Sequence, residues 1–231
     1  MELNTVVKSE DQVKLRHVLI SLADKRGLDT LVTGLVAVNP DIKLYSTGGT
    51  YAKIAEILGP DKTAHNLMRV SDYTGQPEMQ GGLVKSLDFK IYLGLLSESF
   101  NPDHQDDLER TKAVRFDATI VNLYPFEQTV ADPSVSPEKA RANIDIGGPC
   151  MLRASAKNYL RVAVLCDPDD YPAFLETLRR TKGATSLQQR FELSRKAFRY
   201  SAGYDAAIAA YLESLDGDIA YSTYTIAERE A

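Results

Sequence analysis

Apolar positions alternate between two rhythms in the first sixty residues. His17–Ala23 is a short, mostly apolar run closed by Asp24, which predicts a buried strand. Leu28, Leu31, Val32, Leu35 and Val36 then recur at the three–four spacing of an amphipathic helix. Lys43–Ser46 predicts a second strand. Tyr51, Ile54, Ala55 and Leu58 predict a second helix, closed by Gly59-Pro60. Strand, helix, strand, helix at these lengths implies parallel βαβ units with right-handed crossovers, hence an α/β fold with a mostly parallel sheet.

Farther along, Ser71–Asp88 is rich in Gly, Pro and polar residues and reads as one long loop. Lys90–Leu96 and Ala118–Leu123 read as strands, with a charged helical stretch near Asp106–Ala113 between them. Pro125 ends the second of these strands, and Pro137–Ala142 reads as a short helix. Gly147-Gly148 opens a further helix running to about Asn158. A strand at Arg161–Cys166 and a helix at Asp167–Arg180 follow. Ser186–Leu212 reads as one long helix or two. Its Phe191 and Phe198 lie seven apart, and Ala197, Ser201, Tyr204, Ile208 and Tyr211 form a stripe that must pack on the domain or on a second subunit. No composition shift marks a second domain. The expected division is a flexible leader over 1–15, one domain over 16–213 and a weakly ordered tail over 214–231.

Composition narrows the classes. The net charge of −5, from 27 basic and 32 acidic residues, offers no footprint for nucleic acid. Two cysteines, Cys150 and Cys166, and three histidines, His17, His65 and His104, form no cluster, so neither a disulfide framework nor a metal site is expected. No apolar run approaches the roughly 18 residues of a membrane span. Met1–Glu10 lacks an apolar signal core, so a cytoplasmic protein is expected.

Four segments carry candidate chemistry. Between a predicted strand and helix, Ser46-Thr47-Gly48-Gly49-Thr50 combines hydroxyls, two glycines and free helix N–H groups, which suits a phosphate. The same run would serve as a plain glycine turn with Thr50 capping the helix. Ser21 and Lys25 sit at the carboxyl end of the first predicted strand, where strand ends of a parallel sheet converge on one crevice. Gln80-Gly81-Gly82-Leu83-Val84-Lys85-Ser86 places glycines before a lysine and a hydroxyl, without the spacing of a P-loop. Asn122-Leu123-Tyr124-Pro125-Phe126 lies at a strand end; Tyr124 and Phe126 would equally serve as core aromatics. In Asn143–Asn158, Asp145 alternates with Ile144 and Ile146, Gly147-Gly148-Pro149 opens a helix, and Lys157 ends it after an Ala-rich stretch. Packed on that small-residue face, Lys157 would be desolvated toward a useful acid/base range; otherwise it only offsets the helix dipole.

Asp145-Ile146-Gly147-Gly148-Pro149 with Ala156-Lys157-Asn158 resembles the IMP cyclohydrolase domain of the bifunctional purine-biosynthesis enzyme. So do Ser46–Thr50, Ser71–Met79, Asn122–Phe126, Lys196-Ala197-Phe198 and Tyr204–Ile208. The resemblance spans roughly residues 16 to 213 and implies a methylglyoxal-synthase-like three-layer α/β domain with C-terminal helices. It implies closure of the formamide of formyl-AICAR onto the carboxamide nitrogen, with loss of water, giving IMP and needing no cofactor. It also implies a homodimer. The family's phosphate and ribose contacts fall on Ala23, Asp24, Lys25, Thr47, Gly48, Gly49, Thr50, Lys85 and Ser86. Its base-proximal contacts fall on Val121, Asn122, Tyr124, Asp145 and Ile146, beside Gly147. Lys157 takes the place of the proton-transfer lysine, Lys85 and Tyr124 those of oxyanion or orienting donors, and Asp145 that of an orienting carboxylate.

The sequence also departs from the family pattern. Leu83 stands where the family carries an Arg, Asp88-Phe89 where it has His-Pro, and Tyr92 where another His is usual. An Arg-to-Leu change removes a fixed cation whose planar fork can bind an anion through two bonds.

Overall fold

In this computed structural model, which describes residues 5–77 and 86–227, a five-stranded parallel sheet is ordered β4-β3-β2-β5-β6. Its strands are β2 (His17–Leu22), β3 (Lys43–Ser46), β4 (Leu67–Arg69), β5 (Ala118–Asn122) and β6 (Ala163–Leu165). A short antiparallel pair joins β1 (Val13–Lys14) to β7 (Ala184–Thr185). From central β2 the chain builds outward through β3 and β4, then returns to add β5 and β6 on the other side. This reversal leaves a crevice between the carboxyl ends of β2 and β5, the usual ligand position in such sheets.

Side chains along a strand alternate between faces, and the core divides accordingly. Val18, Ile20 and Leu22 face α1 (Leu28–Val38), α2 (Gly48–Asn66) and α9 (Tyr171–Arg180), which contribute Leu31, Leu35, Ile54, Phe174 and Leu175. Leu19, Val121 and Val164 face α4 (Phe89–Leu96), α8 (Gly147–Lys157) and α10 (Leu187–Ser214), through Ile91, Leu95, Leu152 and Ala197. The result is three layers, helices on both faces of the sheet. Each fully buried leucine or isoleucine here stabilises the fold by about 1.5–3 kcal/mol. The remaining helices are α3 (Val70–Thr74), α5 (Pro102–Thr111), α6 (Phe126–Val130), α7 (Pro137–Ala142) and α11 (Gly217–Ser222).

Most expected elements form where the periodicity puts them. The break at Gly59-Pro60 is real: Gly59 takes φ 71°, ψ 173°, and a second helical run carries α2 on to Asn66. Lys90–Leu96, expected as a strand, is instead helix α4. Asp88 caps it by accepting the Lys90 N–H at 2.8 Å, and Ile91, Gly94 and Leu95 are buried at helical spacing. Gly94 sits so close to Val114 and Phe116 that a Cβ would lie 2.3 Å from the Val114 carbonyl oxygen, so α4 docks backbone to backbone. Ser71–Asp88 is not all loop, since α3 runs to Thr74 and Gly75 ends it at φ 76°.

Both ends of the chain make defined contacts within the described residues. Within the expected leader, Glu10 and Asp11 offer their carbonyls to the buried Arg190 guanidinium, and Val13–Lys14 pair with Ala184–Thr185. In the expected tail, Asp216 caps α11, and the Tyr224 hydroxyl donates to Glu138 at 2.6 Å.

Candidate functional site

The crevice between β2 and β5 is built from three loops. Near the end of β2, Ser21 directs its hydroxyl toward that of Thr47 at 3.4 Å. Thr47 ends the β3 turn and its side chain makes no capping bond, leaving the first N–H groups of α2 open. Gly48 takes φ 45°, and a Cβ added to Gly49 would meet nothing within 4 Å. Together these form an open anion cradle with a helix dipole behind it. Ser46 and Thr50 do not line it freely: the Ser46 hydroxyl donates to Ile20, and Thr50 both donates to and accepts from the Leu22 backbone.

The second loop follows β5. Val121 is buried in the core, so only its backbone can meet a ligand. Asn122 imitates a backbone amide. Its Oδ1 accepts the Asp24 N–H at 2.9 Å and its Nδ2 donates to the Asp24 carbonyl at 2.7 Å, so Ala23–Lys25 is clamped to β5. Lys25 bends its amine back to the Leu22 carbonyl at 3.1 Å and the Ala23 carbonyl at 3.5 Å. The Arg26 backbone N–H at 2.9 Å and its guanidinium at 2.6 Å together hold the Asp24 carboxyl below the usual range. Tyr124 is 56% exposed at the mouth.

The third loop leads into α8. The Asp145 carboxylate accepts the Gly148 N–H at 2.9 Å, and the backbone N–H of Tyr124 lies near it. Burial pushes this carboxyl above its ordinary value, against the pull of those two donors. Gly147 and Gly148 are required by closeness. A Cβ on Gly147 would lie 2.5 Å from the Ser86 hydroxyl, and one on Gly148 2.5 Å from Asp145 Oδ2. Ser86 is thereby placed beside the opening of α8, with Ile146 exposed next to it.

Ser21, Ala23, Asp24, Lys25, Thr47, Gly48, Gly49, Thr50, Ser86, Val121, Asn122, Tyr124, Asp145, Ile146 and Gly147 thus gather at one edge of the sheet. Lys157 does not join them. It is exposed at the far end of α8, about 15 Å from Gly147 by helical rise. Lys85 and Leu83 lie outside the described residues.

Sequence reasoning missed two tyrosines on α10. Tyr200 accepts the Leu123 N–H at 3.1 Å, and Tyr204 accepts the Asp145 N–H at 2.8 Å while donating to the Asn143 carbonyl. Tyr204 belonged to the expected stripe, but nothing in periodicity shows a hydroxyl's partner. Beside these tyrosines a cleft of about 580 Å³ opens, lined by Asp24, Asn122, Tyr124, Lys196, Arg199 and Tyr204 among others. Lys196 is held there by Asp167 at 2.7 Å and Asp170 at 2.8 Å. Among the described residues no group of three His, Cys, Asp or Glu could hold a metal ion, and no helix is long and apolar enough to cross a membrane.

This geometry can be set beside known proteins. The MGS-like domain model matches residues 27–150, and the AICARFT/IMPCHase bienzyme model matches residues 155–230. The bifunctional purine biosynthesis protein PurH of Neisseria meningitidis serogroup A is 41% identical over 93% of this chain, which covers 39% of that protein. PurH of Synechococcus sp. (strain WH7803) is 44% identical over 85% of the chain, covering 36% of the relative. The chain therefore spans under two fifths of the length of these curated relatives. The crystal structure of ForH superposes with a TM-score of 0.68 at 30% identity, covering 84% of this chain and 97% of ForH. With the matching model taking in more than half of its residues, the chain belongs to the MGS-like domain family.

Proposed function

We propose that this chain is an IMP cyclohydrolase, closing the formamide of formyl-AICAR onto its carboxamide nitrogen to give IMP and water. The observation that carries the reading is the half-buried Asp145 carboxylate, bonded to the Gly148 N–H at the opening of α8, at the same sheet edge as an open phosphate cradle. The PurH relatives, named for purine biosynthesis, support it.

In this reading Thr47–Gly49 and Lys25 take the phosphate, and Asn122 keeps the Ala23–Lys25 loop in place beneath the ribose. The carboxamide nitrogen is a weak nucleophile that loses a proton as it attacks. The half-buried Asp145 orients it, while Tyr124, Lys85 and the opening N–H groups of α8 stabilise the oxyanion formed at the formyl carbon. Attack within one molecule gains most of its rate from alignment. The test is incubation of the purified chain with formyl-AICAR. IMP absorbance growing faster than in a protein-free control supports the reading, and no such growth refutes it.

The working form in this reading is a homodimer in the cytoplasm. Lys157 is exposed about 15 Å along α8 from Gly147, so its role as proton-transfer group calls for a second copy to supply it. Phe191 and Phe198 on α10 are 43% and 39% exposed and offer an apolar face for that copy. Mixing Asp145→Asn with Lys157→Ala protein should restore activity that neither has alone. A monomer in sedimentation, with full activity at all concentrations, would exclude this arrangement.

A further inference from the structure

We infer that Tyr200 and Tyr204 are positioning residues which hold Tyr124 and Asp145 in register from a single rigid helix. The inference rests on the reading of those two groups as parts of the reaction site. The hydroxyls lie one turn apart on the same face of α10. One accepts the N–H of Leu123, the residue before Tyr124, at 3.1 Å. The other accepts the N–H of Asp145 itself at 2.8 Å and donates to Asn143 at 3.3 Å, so it grips the loop on both sides of Ile144.

The two loops converge at the opening of α8, where a Cβ on Gly148 would lie 2.5 Å from both Asp145 Oδ2 and Leu123 Cδ2, and this closes a triangle of helix, loop and loop. The helix is a firm base, because it packs against α8, β6 and α6 and buries Ser194, Ala197 and Ser201 along its length. Its rings also anchor the start of α6: Phe126 packs edge-on against Tyr204 at 6.3 Å and Tyr211 at 5.8 Å between centroids. Ring packing alone would be served by phenylalanine. The hydroxyls add an acceptor for each of two loop N–H groups, one of them belonging to the carboxylate residue itself.

Alignment is what an intramolecular ring closure depends on, and a displacement of about 1 Å in a supporting shell can cost up to a hundredfold in rate. Burial raises the carboxyl of Asp145 above its ordinary value. The titratable groups that face it among the described residues are Tyr204 and Tyr200, both from α10 and both also raised by burial. A loop released from Tyr204 would admit water to Asp145, and the carboxyl would fall toward its ordinary value.

The experiment compares full-length Tyr204→Phe, Tyr200→Phe and a control, Tyr211→Phe, in ring closure of formyl-AICAR. In Tyr204→Phe we expect kcat to fall about tenfold or more with KM changed by less than about threefold. The acidic limb of its kcat profile should move to lower pH. Tyr200→Phe should show a smaller loss, and Tyr211→Phe none. A Tyr204→Phe enzyme with wild-type kcat and an unmoved acidic limb overturns the inference, as does a loss that only tracks the folded fraction. Hydrogen exchange separates this outcome from failure of the functional reading, since it needs no turnover. The Asp145 amide in Tyr204→Phe and the Leu123 amide in Tyr200→Phe should exchange at least about tenfold faster than in the wild type. Unchanged exchange overturns the positioning role whether or not the chain makes IMP.

Discussion

The two edges of the central sheet treat their polar groups in opposite ways. At the amino edge, loop carbonyls are gathered onto buried cations. Arg190 is fully buried and donates to the carbonyls of Glu10, Asp11, Tyr159, Leu160 and Thr185. Arg161 does the same for Gly94, Ser97 and Phe116, and Asp117 accepts the N–H groups of Arg16 and His17. At the carboxyl edge loop N–H groups are bound by Asn122, Tyr200 and Tyr204, but the donors facing the crevice at the start of α2 are left open. The start of α2 has no side-chain cap, Gly49 faces empty space, and Tyr124 and Ile146 are exposed. A buried polar group without a partner costs roughly 1–3 kcal/mol, so the first pattern is the one stability favours. The second makes sense where a ligand supplies the missing partners.

Substitutions can separate the edges. The largest expected effect is on stability at the amino edge. Arg190→Met strands its five carbonyls and should lower unfolding free energy by about 3 kcal/mol or more, read from urea denaturation. The rate per folded molecule should stay near wild type; a specific loss of turnover would blur the division. At the carboxyl edge, Asp145→Asn should lower kcat about a hundredfold while moving the urea midpoint far less. In the wild type the carboxylate must be ionised to act. Because burial raises its pKa from 3.8, the acidic limb of kcat should lie above that value, with activity falling as pH drops through it.

The two glycine sites sharpen the contrast within the carboxyl edge. Gly148→Ala drives a Cβ to 2.5 Å from both Asp145 Oδ2 and Leu123 Cδ2, so it should cost about 1–3 kcal/mol and lower kcat as well. Gly49→Ala has room in the folded chain and should change stability by less than about 1 kcal/mol. Its methyl group would stand where a phosphate approaches, so KM should rise about tenfold with kcat little changed. An unaltered KM would remove Gly49 from the cradle.

What could be read in advance depended on the range of the interaction. The strands at His17–Leu22 and Lys43–Ser46 were legible as short, mostly apolar runs because the sheet buries both their faces, and the helices beginning at Leu28 and Gly147 because each buries one face. Lys90–Leu96 was misread because a short apolar run fits strand and helix alike. The Asp88 cap and the close docking of Gly94 on Val114 settle it. The cradle at Thr47–Gly49 showed as a local motif, and Asp145 with Gly147-Gly148 as a helix entrance. That Asn122 clamps Asp24 from 98 positions away was not legible, since a hydrogen bond between distant segments leaves no rhythm behind.

The sequence by itself determined the α/β class, the positions of most strands and helices, and which short runs could meet a phosphate or a base. These follow from local propensity and periodicity, which act over a few residues. Tertiary structure decided which of those runs share one crevice, because strand order brings the ends of β2 and β5 together. It placed Lys157 at the far end of α8, away from the crevice, and gave Tyr200 and Tyr204 their two loops. Those outcomes depend on the direction of α8 and the docking of α10, which arise only when both faces of the sheet are covered at once.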